Sequence, residues 1–497
     1  MTIIDNIAKA LTYDPTQPMI FSSGIFLWLF LGFAFIYMLL QNKLTARLVF
    51  VTLFSYFFYY KSSGIYFFLL AVVTVSDWLI GRMIGRVTER EPDNRLKARM
   101  LVALSVTIDL ALLAYFKYTN FFLGSLSQII GNNFQPLDIF LPVGISFFTF
   151  QSLSYTIDIY RREIRPLESL LDYAFFVSFF PQLVAGPIVK ARDFVPQIRK
   201  PLSITRRMFG MGVYLITIGL FKKAVISDYI SINFVERVFD QPEMFSGVEV
   251  LLGIYGYAMQ IYCDFSGYSD MAIGIALLLG FRFPMNFNAP YRSVSVTDFW
   301  RRWHISLSTW LKQYLYISLG GNRKGKLRTY ANLTTTMLLG GLWHGASWNF
   351  ILWGALHGVA LSVHKFFSQN VFRHDKRYTS TGWRQVGAII LTFHFVCFCW
   401  IFFRSSDFDT GITMITQVTT NFHPELLWQV VSGYPWVFGL MAFGFVSHFL
   451  PDRWQQRIVA RLSMTNVLVY AAMITAVAYI VIQVKSSEIQ PFIYFQF

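Results

Sequence analysis

Two histidines in apolar surroundings carry the clearest chemical potential in this sequence: His304 in FWRRWHISLSTW and His344 in LLGGLWHGASW. An ionisable side chain inside an apolar run marks a functional site by default, because burying it without a partner or a cavity is expensive. Imidazole, with an ordinary pKa near about 6.5, is suited to moving protons near neutral pH. His344 stands between Gly340 and Gly341 on one side and Gly345 on the other, and glycine lets backbone or a thin ligand approach closely. A membrane histidine can equally be hydrogen-bonded across helices, and His357, His364 and His394 suit that reading. His357 and His364 lie two turns apart on one helical face, about 10 Å, too far to share one zinc ion.

Asp77, Asp109, Asp158, Asp264 and Asp270 are the acids within apolar runs. The last two frame CDFSGYSD, where Ser266, Gly267 and Ser269 are expected to loosen or break a helix. Two readings stand side by side there: a substrate-binding segment, or a buried hydrogen-bond network with Tyr268 or an arginine. Asp407 and Asp409 form a short Asp-x-Asp pattern. There is no Gly-x-Ser-x-Gly elbow, no phosphate-binding loop ending in Gly-Lys-Ser or Gly-Lys-Thr, and no His-Glu-x-x-His. Cys263, Cys397 and Cys399 all lie in apolar runs and read as small buried hydrophobes.

The elements that must position these groups belong in a bilayer. Of 497 residues, 55% are hydrophobic, 18% aromatic and only 14% charged, with a mean hydropathy of +0.47; soluble domains carry about 25% charged residues. A water-soluble globule, a fibre and a disordered chain are excluded. Apolar runs span Ile20 to Gln41, Gly64 to Ile80, Met100 to Phe116, Ile139 to Tyr160, Met208 to Ile226, Val248 to Leu279, Phe350 to Lys365, Val386 to Phe403, Trp436 to Leu450 and Val467 to Val484. With the shorter run Leu48 to Tyr60, paired tightly with the next, they predict about eleven transmembrane helices in an all-α, polytopic protein. Runs apolar on every face exclude a membrane barrel.

Residues 1–18, with Ile3, Ile4, Ile7 and Leu11 on one stripe, predict an interfacial helix without a cleavable leader; 19–497 reads as one membrane domain. Leu171 to Pro187, broken by Pro181, Gly186 and Pro187, reads as a re-entrant segment lining a cavity. Asp298 is expected to cap a helix running through Leu315, with His304, Leu307, Trp310, Leu311 and Tyr314 on its buried stripe. The formal charge of +15 is concentrated in short loops: Arg82 to Arg99 holds six basic and three acidic residues, Arg301 to Tyr330 seven basic and none acidic. That is cytoplasmic-loop topology, and it argues against nucleic acid as a partner.

The strings FWRRWHISLSTWLKQYLYISLGGNR and GGLWHGASWNFILWGALHG together resemble the signature region of the membrane-bound O-acyltransferases. DFSGYSDMAIGIALLLGFRFPMNFNAPYRS, FFPQLVAGPIVKARDFVPQI, LPVGISFFTFQSLSYTIDIYR and the ending PFIYFQF are similar to the bacterial polysaccharide branch of that family, typified by alginate O-acetylation. The similarity runs from about Ile20 through Lys365, which implies a family core over about 100–366 and additional C-terminal helices over 386–484.

The resemblance implies a ring of helices around a thin centre, opening outward in a funnel, in a bacterial inner membrane. It implies His344 as the catalytic histidine and His304 as its partner. Asp264, Ser266, Asp270, Trp343, Trp310, Asn322, Arg301 and Arg302 are the candidates to bind substrate or line the cavity. It further implies an acyl thioester donor, most simply acetyl-CoA, with no tightly bound cofactor and no metal; an exported polysaccharide as acceptor; and an extracytoplasmic partner of the Ser-Gly-Asn-His class. The basic cluster Arg301 to Arg328 could hold the donor's phosphates or lipid headgroups. D-alanyl transfer to teichoic acid and, from another class, a polysaccharide or lipid-linked-sugar flippase are the alternatives.

Overall fold

A computed structural model describes residues 11–15, 18–90, 95–371 and 381–484. The interfacial helix expected over 1–18 falls largely outside the described residues, and the PFIYFQF ending falls wholly outside them. The regular elements among the described residues are all helices, without a strand.

Five helical paths are long and apolar enough to cross a membrane: Leu44–Arg90, Arg95–Ile130, Arg206–Asp240, Trp348–Val371 and Gly382–Arg404. The bent pairs Pro424–Gly433 with Pro435–Phe449 and Asp452–Leu462 with Val467–Gln483 raise the number to seven. The protein is a multi-pass membrane protein, and this count, taken over the described residues by length and composition, is lower than the eleven or so expected. The runs Leu48 to Tyr60 and Gly64 to Ile80 join into one helical path through the tight turn Gly64–Tyr66. Gly24–Leu39 has 16 residues, and Ile145–Tyr160, also 16, is buried along nearly its whole length. Along Ile145–Tyr160 apolarity serves contact with protein, which a hydropathy pattern does not distinguish from contact with lipid, whereas Gly24–Leu39 keeps many of its apolar side chains exposed.

The chain divides into two compact units, Met1–Val213 with Met271–Pro284, and Tyr214–Asp270 with Met285–Phe497. In the first, Asp77, Asp109 and Asp158 are fully buried. Asp77 accepts hydrogen bonds from Ser105 Oγ at 2.7 Å and from Ser152 Oγ, which in turn meets the Tyr173 hydroxyl at 2.7 Å. The expected re-entrant segment is a broken helix, Leu170–Ser178 and then Phe180–Leu183, interrupted at Phe179. Protein satisfies the break: Phe180 N donates to Ser55 Oγ at 3.1 Å and Gln182 Nε2 to the Phe176 carbonyl at 2.6 Å. This is how irregular backbone survives at membrane depth.

Gly247–Leu278, which belongs to the second unit as far as Asp270, runs as one unbroken helix through CDFSGYSD, contrary to the expected break. Serine and glycine are tolerated because the segment is packed: a Cβ on Gly267 would lie 2.7 Å from the Gly219 carbonyl oxygen. A wide π-type turn, Phe221–Ser227, presents two consecutive lysines to this helix. Lys222 pairs with Asp270 at 2.7 Å, and Lys223 pairs with Asp264 at 2.7 Å and Asp228 at 2.8 Å.

Candidate active site

His344 is delivered by a helical hairpin. Lys326–His344 ends at Gly345, and Trp348–Phe366 begins under a cap in which Ser347 Oγ accepts from Phe350 N at 3.5 Å. The two helices approach backbone to backbone. A Cβ on Gly358 would fall 2.8 Å from Thr334 Cα, one on Gly354 would collide with the Met337 carbonyl, and one on Gly341 with the Phe350 carbonyl. The glycines around His344 therefore admit a neighbouring helix. That close packing holds His344 at the end of its helix, buried among Trp343, Trp353 and Phe403, with ring centroids 5.0, 5.1 and 5.3 Å away.

His304 arrives by a different device. The helix expected from Asp298 to Leu315 is broken: Ser295 caps Val296–Arg302 by accepting from Asp298 N at 3.2 Å, and a second helix, Ile305–Trp310, starts after His304. His304 itself has φ +42° and ψ +56°, in the left-handed region. This conformation costs a non-glycine residue about 1–3 kcal/mol and persists only when the surroundings over-determine it. The strand of chain at 286–288 does so. Asn288 N donates to the Arg302 carbonyl and Ile305 N to the Asn286 carbonyl, both at 2.9 Å. The Asn286 side chain, fully buried, meets His304 Nδ1 at 3.2 Å and accepts from Ser306 N at 3.2 Å and Ser306 Oγ at 2.9 Å.

The break turns the His304 ring toward the hairpin. Its centroid lies 6.5 Å from that of His344, 6.1 Å from Trp343 and 4.6 Å from Phe265, which meets it edge to face. Burial pulls the His304 pKa down to about 3, so the ring is neutral at physiological pH. Two imidazoles in an aromatic, water-poor enclosure can pass a proton to and from a reacting oxygen or sulfur held between them.

The other predicted residues distribute differently. Trp343 packs between the two histidines. Asp264 and Asp270 are held by Lys223 and Lys222, so the network reading of CDFSGYSD describes them, with lysines where Tyr268 or an arginine was expected. Ser266 is buried on the same helix. Trp310 is buried against Tyr314, their rings 5.1 Å apart. Arg302 is tied to Asp298 at 3.0 Å, while Arg301 and Asn322 are exposed. His357, His364 and His394 are cross-helix hydrogen-bond partners: Trp300 Nε1 donates to His357 Nδ1 at 3.2 Å, and His364 and His394 pair with the Thr297 and Tyr255 hydroxyls at 2.9 and 2.8 Å. The Asp-x-Asp pattern is a helix cap, with Asp407 accepting from Thr410 N at 2.8 Å.

Residues 161–406, which contain both histidines, match MBOAT, the membrane-bound O-acyltransferase family. The chain is also 42% identical over 401 residues to a probable alginate O-acetylase AlgI of Pseudomonas aeruginosa, covering 80% of this chain and 74% of that one. The chain belongs to the membrane-bound O-acyltransferase family. The acyltransferase is further similar to a peptidoglycan O-acetyltransferase of Helicobacter pylori, 38% identical over 80% of this chain and 79% of the relative. A teichoic acid D-alanyltransferase of Bacillus subtilis is 31% identical over 55% of this chain and 71% of the relative.

Within this acyltransferase, sequence reasoning passed over Asn286 and Trp353. Trp353 carries a signal that could have been used, since it follows His344 by nine residues and lies in the apolar run Phe350 to Lys365. Asn286 carries none, because an asparagine in MNFNAP, between Pro284 and Pro290, reads as a loop residue.

Proposed function

We propose that this acyltransferase moves an acetyl group from a cytoplasmic thioester, acetyl-CoA, toward hydroxyls of an exported polysaccharide, working in a bacterial cytoplasmic membrane with an extracytoplasmic partner of the Ser-Gly-Asn-His class. The observation that carries the reading is the meeting of His304 and His344, rings 6.5 Å apart, in a buried aromatic enclosure. In this reading His344 removes the proton of the attacking hydroxyl as its oxygen bonds to the thioester carbonyl carbon. The carbon–sulfur bond then breaks, and the protonated imidazole returns the proton to the departing thiolate, so each turnover leaves the histidine as it began. His304 is the second proton-transfer group. The basic cluster that includes Arg323, Lys324, Lys326 and Arg328 supplies charge for the phosphates of the donor.

Acetyl transfer to a polysaccharide is favoured over D-alanyl transfer by the relatives: alginate and peptidoglycan O-acetylating proteins match over 80% of the chain, the teichoic acid protein over 55%. The test is membranes containing wild type or His344→Ala at matched expression, given radiolabelled acetyl-CoA and polysaccharide acceptor. Wild type labels the polymer and His344→Ala does not. Full labelling by the variant removes His344 from the chemistry, and labelling by D-alanyl donors alone removes acetyl-CoA.

A further inference from the structure

The arrangement around Asn286 decides which nitrogen of His304 carries the hydrogen. Amide oxygen and nitrogen are told apart only by their partners, and here one partner is unambiguous. The backbone N–H of Ser306 can only donate, and it points at one atom of the Asn286 amide from 3.2 Å. That atom must be the oxygen. The Ser306 hydroxyl donates to the same atom at 2.9 Å, and the amide nitrogen on the other side donates to Ser269 Oγ at 3.1 Å. His304 Nδ1 faces the same oxygen at 3.2 Å. An oxygen has no hydrogen to give, so the contact is a hydrogen bond only if Nδ1 carries one.

We infer that Asn286 is a positioning residue for acyl transfer, fixing His304 as the Nδ1–H tautomer so that Nε2 keeps its lone pair and receives protons during the reaction. Asn286 performs the orienting task that a carboxylate performs for the histidine of a serine hydrolase, without placing a charge beside the ring. The neutral amide leaves His304 less basic than a carboxylate would, which suits a group that must release its proton again in each turnover. Around His304, Phe265, Trp343, Ser306 and Asn286 are uncharged, and His344 is the titratable ring packed against it. The inference rests on the proposed roles of His304 and His344, and its test separates the two.

The direct measurement is nitrogen NMR of the full-length protein labelled at histidine, with the His304 signals identified by their loss in His304→Gln. Nδ1 protonated and Nε2 unprotonated is the expected result; the opposite tautomer in wild type overturns the inference. The functional measurement compares Asn286→Leu and Asn286→Asp in labelled-acetyl transfer. Leucine removes the acceptor, and kcat falls by about 10–100-fold, the usual size for an orienting residue, with the donor KM little changed. Aspartate keeps the acceptor, restores most of kcat and adds a negative charge, so the acid limb of the pH profile moves upward by about 1–3 pH units. A Leu variant with wild-type kcat, or an Asp variant with a wild-type profile and no rescue, refutes the role. His304→Ala and His344→Ala at full activity would instead sink the underlying reading while leaving the tautomer measurement intact.

Discussion

The catalytic geometry depends on how closely two helices pass, and Gly341→Ala tests that dependence. A methyl group there would collide with the Phe350 carbonyl oxygen and lie 3.1 Å from Gly354 Cα and 3.2 Å from Gly354 N. Ordinary contact between carbons is about 3.5–4.0 Å, so the helices must part by roughly 0.5–1 Å to admit it. Three residues further on is His344, and a displacement of about 1 Å in a reacting group costs about 100-fold in rate. Overpacking of this kind destabilises by about 1–3 kcal/mol. Gly340→Ala is the internal control. Its methyl would meet the flexible Leu311 Cδ1 at 3.2 Å and nothing else within contact, while alanine in a helix gains about 0.5–1 kcal/mol over glycine. Thermal unfolding in detergent and initial rates of labelled-acetyl transfer are the assays. Gly341→Ala should melt lower and lose about two orders of magnitude in rate, with Gly340→Ala close to wild type. Equal behaviour of the two variants would refute the argument that the close seam positions His344.

Lys223→Met should destabilise by about 3–5 kcal/mol in thermal or denaturant unfolding, because it removes the buried positive charge that Asp228 and Asp264 share. Lys222→Met should cost clearly less, since that pair keeps about a fifth of its side-chain surface exposed, Lys222 22% and Asp270 21%. Equal losses would contradict the assignment. His357→Phe keeps a ring against Phe299 but removes the acceptor for Trp300 Nε1. The melting point should drop by an amount worth about 1–3 kcal/mol, with acyl transfer per folded molecule unchanged; a dead but folded variant would make His357 part of the chemistry. Asp407→Ala should lose a cap worth about 0.5–2 kcal/mol and introduce no metal dependence. The Thr410 N–H holds the Asp407 carboxyl below the usual carboxylate range, so the cap contributes fully above that range and is lost as the pH falls through the lowered value. Unfolding of wild type and variant should therefore converge on acidification, and a constant gap across pH would argue against the cap.

His344 and His304 are legible in the sequence because a histidine in an apolar run is rare and expensive, which is a local property. The geometry between them is not. Nothing in WRRWHIS is a helix breaker, and the periodicity of His304, Leu307, Trp310 and Leu311 runs smoothly through the point where the helix stops. The break is imposed from 286–288, through hydrogen bonds to residues 14 to 20 positions later that no pattern within the helix records. Lys222 and Asp270 are likewise 48 residues apart, and each alone reads as a polar interruption of an apolar run. The all-helical membrane fold is visible from composition alone. Its span count is not, because the same leucines, phenylalanines and valines serve protein-facing and lipid-facing surfaces.

The two lysines of the Phe221–Ser227 turn also set a problem of timing. A charged residue at the centre of a membrane helix costs about 2.5–3.5 kcal/mol on insertion, and Lys222 and Lys223 stand side by side in the path Arg206–Asp240. When that segment leaves the ribosome it carries with it Asp228, a partner of Lys223, but Asp264 and Asp270 have not yet been translated. The Gly247–Leu278 helix, made later, brings those two carboxylates to the lysines. The charge balance of the two elements is thus complete only when both are present, with the lysines made ahead of two of their three carboxylates.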